Sequence, residues 1–336
     1  MYFAIAWKNQ KLSELELEKI WEITDKEWRI FFFNTNKYEK TKYLAGFMKV
    51  WKIVNIEEFT NMEKKLVWTN LYLTPKDKKA YNIKRYKHID LEKSDLEIKN
   101  KWLEVIFFKW LKDKVWIVEY YQNIALYETI DFEKPVRSMD IWMMPSKLAH
   151  LMINLATWLD YNKTIYDPFA GLWTTLMLAN YLENNVLGSD LNITPTKQNW
   201  NWWKNTDFYK DNLKYNLFKQ DVTKQFKNKI TNFSDFVVSE WYLWPKVWKF
   251  LNKKEAENLE KSFQQVYIEW TKNILSLENL QNIVITFPVY HLKNKEFYHF
   301  ENTYEQISKF WKLNIIDEVY IRKWQKVWRQ IVIIEK

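Results

Sequence analysis

Thr164-Ile-Tyr-Asp-Pro-Phe-Ala-Gly-Leu-Trp-Thr-Thr175 reads as a short strand, a tight turn and a helix start, and Leu176-Met-Leu-Ala-Asn-Tyr-Leu182 carries the helix on. An apolar lead into Asp167-Pro168, followed by a loop of small residues, is how a nucleoside-binding parallel sheet opens. One residue departs from that pattern. At Trp173 the backbone has to approach a ligand closely, and glycine is the residue that permits it. An indole there is expected to fill the site.

The departure recurs in the composition. The chain has 336 residues with 21 Trp and 3 Gly. The two counts together match the roughly 24 glycines that a usage of about 7% gives. Tryptophan also stands in turns, as in Tyr242-Leu-Trp-Pro245 and Lys323-Trp-Gln-Lys-Val-Trp-Arg329. Most Trp positions therefore read as glycines encoded by UGA codons that the source organism decodes as Gly.

Working outward, the chain is long enough for two domains and a large core. Without cysteine it has no disulfide, no Cys-ligated zinc and no thiol catalysis. No N-terminal signal peptide is visible and no apolar run approaches ~18 residues, so a cytoplasmic protein without a membrane partner is expected. Lys and Arg number 51 against 42 Asp and Glu, a net charge of +9 that suits a polyanion.

Upstream, Tyr2–Ala6, Arg29–Phe33 and Leu44–Ile53 read as strands, and Leu12–Ile20 as an amphipathic helix. Residues 1–60 form a small α+β module on this reading. Within 61–130, strands are expected at Leu71–Leu73, Leu103–Phe108 and Val115–Tyr121. The charged stretch Lys76–Lys101 holds Lys84-Arg-Tyr-Lys-His88, whose cations and aromatics can hold phosphates and stack bases. Residues 131–336 form a further domain. A charged lead-in precedes an apolar helix over Met144–Ala156, where His150 is a packed or solvated helix residue.

Downstream, strands are expected at Thr164–Tyr166, Val186–Ser189, Asn216–Lys219, Asp235–Val238, Asn282–Phe287, Leu313–Ile316 and Gln330–Ile334, with the clearest helix at Lys254–Leu275. The last two strands are joined by Tyr320–Arg329, too short for a crossover helix, so the final strand is antiparallel. The fold class is α/β, a Rossmann-like seven-stranded sheet with an antiparallel last strand, preceded by a smaller α+β part.

Ligands of such a sheet lie at the carboxyl ends of its strands. There the chain places Asp167-Pro-Phe-Ala-Gly-Leu-Trp-Thr174, then Asp190-Leu191, then Asp221-Val222, then Ser239-Glu-Trp-Tyr242. The first turn offers N–H groups at a helix N-terminus. Asp190 lies 23 residues after Asp167, near the ~20 expected of a carboxylate that grips ribose hydroxyls. Asp221 is placed to accept from an adenine amine. A lone aspartate after a strand is more often a cap or turn residue; three at successive strand ends point to a ligand.

These stretches resemble the first motifs of class I S-adenosyl-L-methionine-dependent methyltransferases. More narrowly, the chain resembles the THUMP-linked RNA methylases related to tRNA guanosine-N2 methyltransferases. Arg137–Ala149, Ser239–Pro245 and Gln325–Arg329 carry that narrower match. The resemblance implies a THUMP-like RNA-binding part at 61–130 and a catalytic domain at 131–336. Its cofactor would be S-adenosylmethionine, held by Asp167, Pro168, Phe169, Ala170, Gly171, Trp173, Thr174, Asp190, Leu191, Asp221 and Val222. The implied partner is RNA, tRNA or alternatively rRNA, and no metal is called for. Ser239, Glu240 and Tyr242 would be the catalytic set, with Glu240 accepting from the exocyclic amine of a flipped or single-stranded guanine and Tyr242 stacking on the base. Amino-methylating relatives usually carry Asp/Asn-Pro-Pro-Tyr where this chain has Ser239-Glu-Trp-Tyr-Leu-Trp-Pro245. The alternatives are a DNA amino-methyltransferase and an RNA-binding protein that keeps the fold without the catalysis.

Overall fold

Two units divide the chain, Met1–Asn123 and Ile124–Lys336. The computed structural model describes residues 1–27, 29–55, 57, 70–72, 102–107, 114–137, 143–226, 234–240, 249–321 and 325–335. The Lys76–Lys101 stretch and Tyr242 lie outside the described residues.

The first unit is built on β1 (Tyr2–Ala6), α1 (Gln10–Glu18), β2 (Ile23–Glu27), β3 (Ile30–Phe33), β4 (Phe47–Asn55), β5 (Asn70–Tyr72), β6 (Trp102–Phe107) and β7 (Lys114–Tyr121). Its sheet runs β2-β3-β1-β4-β7-β6-β5, antiparallel except for the β5–β6 pair. Ala4 of β1 pairs with Phe31 on one side and Val50 on the other. β2 was not expected: Ile23-Thr-Asp-Lys-Glu27 has the polar composition of a sheet edge rather than an apolar run.

Helix α1 starts on Asn9, whose side chain accepts from the Leu12 N–H. It docks through a buried carboxylate, since Glu16 accepts the Ala45 N–H at 2.8 Å and the Gly46 N–H at 2.7 Å. Ser13 Oγ donates to the Gly46 carbonyl at 2.6 Å. A methyl group on Gly46 would lie 2.8 Å from the Ser13 Cα, which is backbone and cannot step aside. Gly46→Ala is expected to cost about 1–3 kcal/mol by forcing α1 off the sheet. An unchanged thermal-unfolding midpoint would show that the helix docks elsewhere.

The second unit begins with α2 (Ile124–Glu128), which runs into a π-helical turn at Thr129–Glu133, and with α3 (Ser146–Thr157). There follow β8 (Thr164–Asp167), α4 (Thr174–Tyr181), β9 (Asn185–Asp190), α5 (Ile193–Trp203), β10 (Tyr215–Lys219), β11 (Phe236–Glu240) and α6 (Lys253–Leu275). The unit ends with β12 (Asn282–His291), β13 (Phe297–Tyr298), α7 (Glu301–Ser308), β14 (Lys312–Tyr320) and β15 (Val327–Glu335). Sheet order is β10-β9-β8-β11-β12-β15-β14, with the two-residue β13 paired to β12. Neighbours from β10 to β12 are parallel, and β15 is antiparallel to both β12 and β14. This is the Rossmann-like sheet with an antiparallel last strand that the sequence implies.

The apolar run of β12 is buried over nine of its ten residues, as a central strand covered on both faces must be. Helix α6 opens on a capping box of Asn252 and Glu255 and lays Tyr267 on Phe287, with ring centroids 4.9 Å apart. Among the described residues no helix is long and apolar enough to cross a membrane. From β8 the sheet grows in both directions, to β9 on one side and β11 on the other. That reversal opens a crevice at the carboxyl ends of these strands.

Candidate functional site

A cavity of about 760 Å³ occupies the crevice. It is lined by the whole Asp167–Thr175 turn, by Asp190 at the end of β9 and Leu191 after it, by Asp221 and Val222 after β10, and by Glu240 at the end of β11. Met143, Met144, Gln220, Phe263 and Val266, none of them among the expected site residues, also line it. The last two come from α6, whose apolar stripe carried no sign that part of it would face a cavity.

Asp167 ends β8 with its side chain buried. Its Oδ1 accepts from Ser239 Oγ at 2.5 Å and from the Phe169 N–H at 3.1 Å. Ser239 is itself fully buried, so it stands behind Asp167 rather than in the cavity. Burial raises the Asp167 carboxyl from 3.8 to about 7, against the pull of the hydrogen bonds from Ser239, the Phe169 N–H and Thr175. The folded chain thus keeps a proton that the unfolded chain has released. Stability is expected to fall as pH rises from about 4 to about 7, and Asp167→Asn should flatten that slope. A thermal-unfolding series across this window tests it; equal slopes in the two proteins would remove Asp167 as the source.

The turn is held by its neighbours. Gly171 has φ +44°, its N–H bonds Asp190 Oδ2 at 2.9 Å, and its carbonyl accepts from Thr196 Oγ at 2.8 Å. Asn199 donates to the Leu172 carbonyl at 3.1 Å. The N–H groups of Ala170 and Trp173 bond the carbonyls of Ser189 and Ala170. The first N–H groups of α4, by helix geometry, have no acceptor within the helix. Beneath the turn, Lys134 Nζ donates to Thr174 Oγ at 2.8 Å. Burial draws that ammonium down to about 8. Tyr166 and Ser189, bonded through their hydroxyls at 2.7 Å, tie β8 to β9 directly below.

Trp173 corrects one expectation. Its indole does not fill the site. The ring turns into the wall and packs on Trp200 at 4.3 Å, with its Cζ2 close above Gly188, and the cavity stays open. The backbone at Trp173 is left-handed, φ +78°, and its indole N–H is buried without an acceptor among the described residues. Trp158, the C-cap of α3, is left-handed too, at φ +51°.

Both oxygens of Asp190 are engaged by backbone, Oδ2 by Gly171 and Oδ1 by the Asn192 N–H at 2.9 Å. A carboxylate has further lone pairs, so these bonds fix the group without exhausting it. Asp221 accepts the Thr223 hydroxyl at 2.7 Å and the Thr223 N–H at 3.0 Å, and the Thr223 hydroxyl chiefly holds its carboxyl below the ordinary value. Glu240 is paired with the buried Arg329 of β15. Four acidic side chains from four successive strands thus converge on one apolar-walled cavity.

No known protein-family profile and no curated protein sequence matches the chain. Solved structures similar to it include the magnesium protoporphyrin IX methyltransferase of Synechocystis PCC 6803 with bound SAM, 10% identical over 63% of this chain and 90% of that one, with a TM-score of 0.39. The small RNA methyltransferase HEN1 is 12% identical over 66% of this chain and 28% of that one, at 0.38. A TehB-like SAM-dependent methyltransferase of Corynebacterium glutamicum is 15% identical over 56% and 86%, at 0.35.

Proposed function

We propose that residues 131–336 form an S-adenosylmethionine-dependent methyltransferase acting on RNA, methylating a guanine amino group in tRNA or alternatively in rRNA. The observation that carries this reading is the convergence of Asp167, Asp190, Asp221 and Glu240 on the cavity at the sheet's switch point. The cavity is of a size that takes a small cofactor. Its residues fit this one. Asp190 is fixed and retains acceptor capacity for ribose hydroxyls, Asp221 stands where an amino group can be received, and the apolar walls from α6 suit a purine ring. When bound, S-adenosylmethionine supplies an electrophilic methyl group.

The chain's own part is positioning. Glu240 accepts from the target amine and aims its nitrogen into the cavity, and Tyr242 stacks on the base. Ser239 secures Asp167, which shapes the turn. Residues 1–60 and the THUMP-like 61–130 hold the RNA by phosphate contacts and shape, in keeping with the net charge of +9.

Transfer of tritiated methyl from S-adenosylmethionine to bulk tRNA, rRNA and DNA tests the reading. Label in tRNA or rRNA is the expected outcome. Label in DNA alone would overturn the RNA assignment in favour of a DNA amino-methyltransferase. Cofactor binding without transfer to any of the three would leave an RNA-binding protein on a methyltransferase fold.

A further inference from the structure

Arg329 is fully buried, yet it bonds Glu240 at the cavity wall from two strands away. Register explains the reach. Glu240 pairs with Thr286 of β12, and Thr286 pairs with Ile331 of β15. Pro288 of β12 pairs with Arg329. Residues two apart on a strand share a face, so Glu240, Thr286, Pro288, Ile331 and Arg329 lie on one side of the sheet. β11 ends at Glu240, and β12 runs on past it to His291. The guanidinium crosses β12 to the carboxylate.

Its other nitrogens sharpen the picture. Nη1 donates to Gln325 Oε1 at 3.1 Å, while Nη2 is buried with no partner among the described residues. Burying a cation is costly unless it is paired. The pair with Glu240 is the compensation, and it takes up part of the carboxylate while leaving lone pairs for another donor. Lys would not do the same work, because the guanidinium reaches Glu240 and Gln325 at once through nitrogens fixed in one plane.

We propose that Arg329 is a positioning residue. It holds Glu240 in one orientation, as a rigid hydrogen-bond acceptor for the amine to be methylated, and Gln325 in turn holds Arg329. This role rests on the methyltransferase reading above.

A double-mutant cycle of Glu240→Gln and Arg329→Met tests it, read in four ways. These are kcat and KM for methyl transfer to bulk tRNA, affinity for S-adenosylhomocysteine by calorimetry, RNA affinity by filter binding, and the unfolding midpoint of the protein alone. Arg329→Met is expected to lower kcat roughly 10- to 100-fold, as loss of a preorganised group does. KM for RNA and affinity for S-adenosylhomocysteine should stay within about threefold, since they do not depend on that orientation. The double variant should be no slower than Glu240→Gln alone, because Arg329 acts through Glu240. It should also regain the midpoint lost in Arg329→Met, where Glu240 is left uncompensated. Should Arg329→Met fail to fold, Arg329→Lys replaces it in the cycle and is expected to restore only part of the rate. Losses in kcat that multiply in the double variant would overturn the role and leave the methyltransferase reading standing. A wild-type protein that binds S-adenosylhomocysteine but labels no RNA would overturn both.

Discussion

Asp190→Ala is expected to weaken S-adenosylmethionine binding about 100-fold or more while leaving the chain folded. The carboxylate ends β9 facing the cavity. In the proposed complex it receives two ribose hydroxyls. Hydrogen bonds to a charged group contribute about 1.5–3 kcal/mol each, and about 1.4 kcal/mol is tenfold in affinity. A second loss adds to the first. The Gly171 N–H, now bonded to Asp190 at 2.9 Å, would have no acceptor, and the turn that shapes the cavity would loosen. Asp190→Asn keeps one acceptor oxygen and should fall between the two. Calorimetric titration gives the answer, and an affinity within about threefold of wild type would remove Asp190 from the ribose site.

The same residue shows what sequence can disclose. Its place after Val186-Leu-Gly-Ser189, at the right interval from Asp167, was readable because a buried parallel strand is a short apolar run that ends in polar residues. β8, β9, β11 and β12 of the second unit were legible for that reason. The two-residue β13 carried too little pattern to see. What Asp190 does in the free protein, bonding the turn beside it, was not legible, since that contact depends on how β8 and β9 align. Longer spans hid more. Arg329 and Glu240 are 89 residues apart and meet only through the registers of three strands. Lys134 and Thr174 are 40 apart and meet through the packing of a lead-in segment under α4. Ser239, read as part of the reacting set, is buried on β11 beside β8 in the sheet, and its hydroxyl goes to Asp167. Local pattern specifies strands and their polar ends; which ends touch is decided by register and by the side from which each helix packs.

Trp173→Gly is expected to stabilise the protein, which is the opposite of what a buried tryptophan ordinarily does. Removing a large aromatic from a core usually costs about 3–5 kcal/mol. Here two liabilities weigh on the other side. A left-handed backbone strains any residue with a Cβ by about 1–2 kcal/mol, and Trp173 has φ +78°. An indole N–H buried without an acceptor costs about 1–3 kcal/mol more. Trp51 and Trp200, in buried positions, likewise have a donor unmet among the described residues. Trp203, by contrast, donates to Asn180 at 2.9 Å from within α5, as a tryptophan chosen for its site would. If glycine is the residue the gene encodes at 173, the surrounding packing was selected without an indole, and its removal relieves strain while letting α4 settle on β9 at Gly188. The liabilities, about 2–5 kcal/mol together, then outweigh a packing loss smaller than the usual one, and the unfolding midpoint of Trp173→Gly should rise by about 2–4 °C, the shift that about 1 kcal/mol gives in a large domain. Trp203→Gly should lower it. A fall in both variants would mean that tryptophan is native at 173. The codons give an independent reading, with TGA expected at 158 and 173 and TGG at 203. TGG at 173 would establish that the chain has built its cofactor turn around a buried indole.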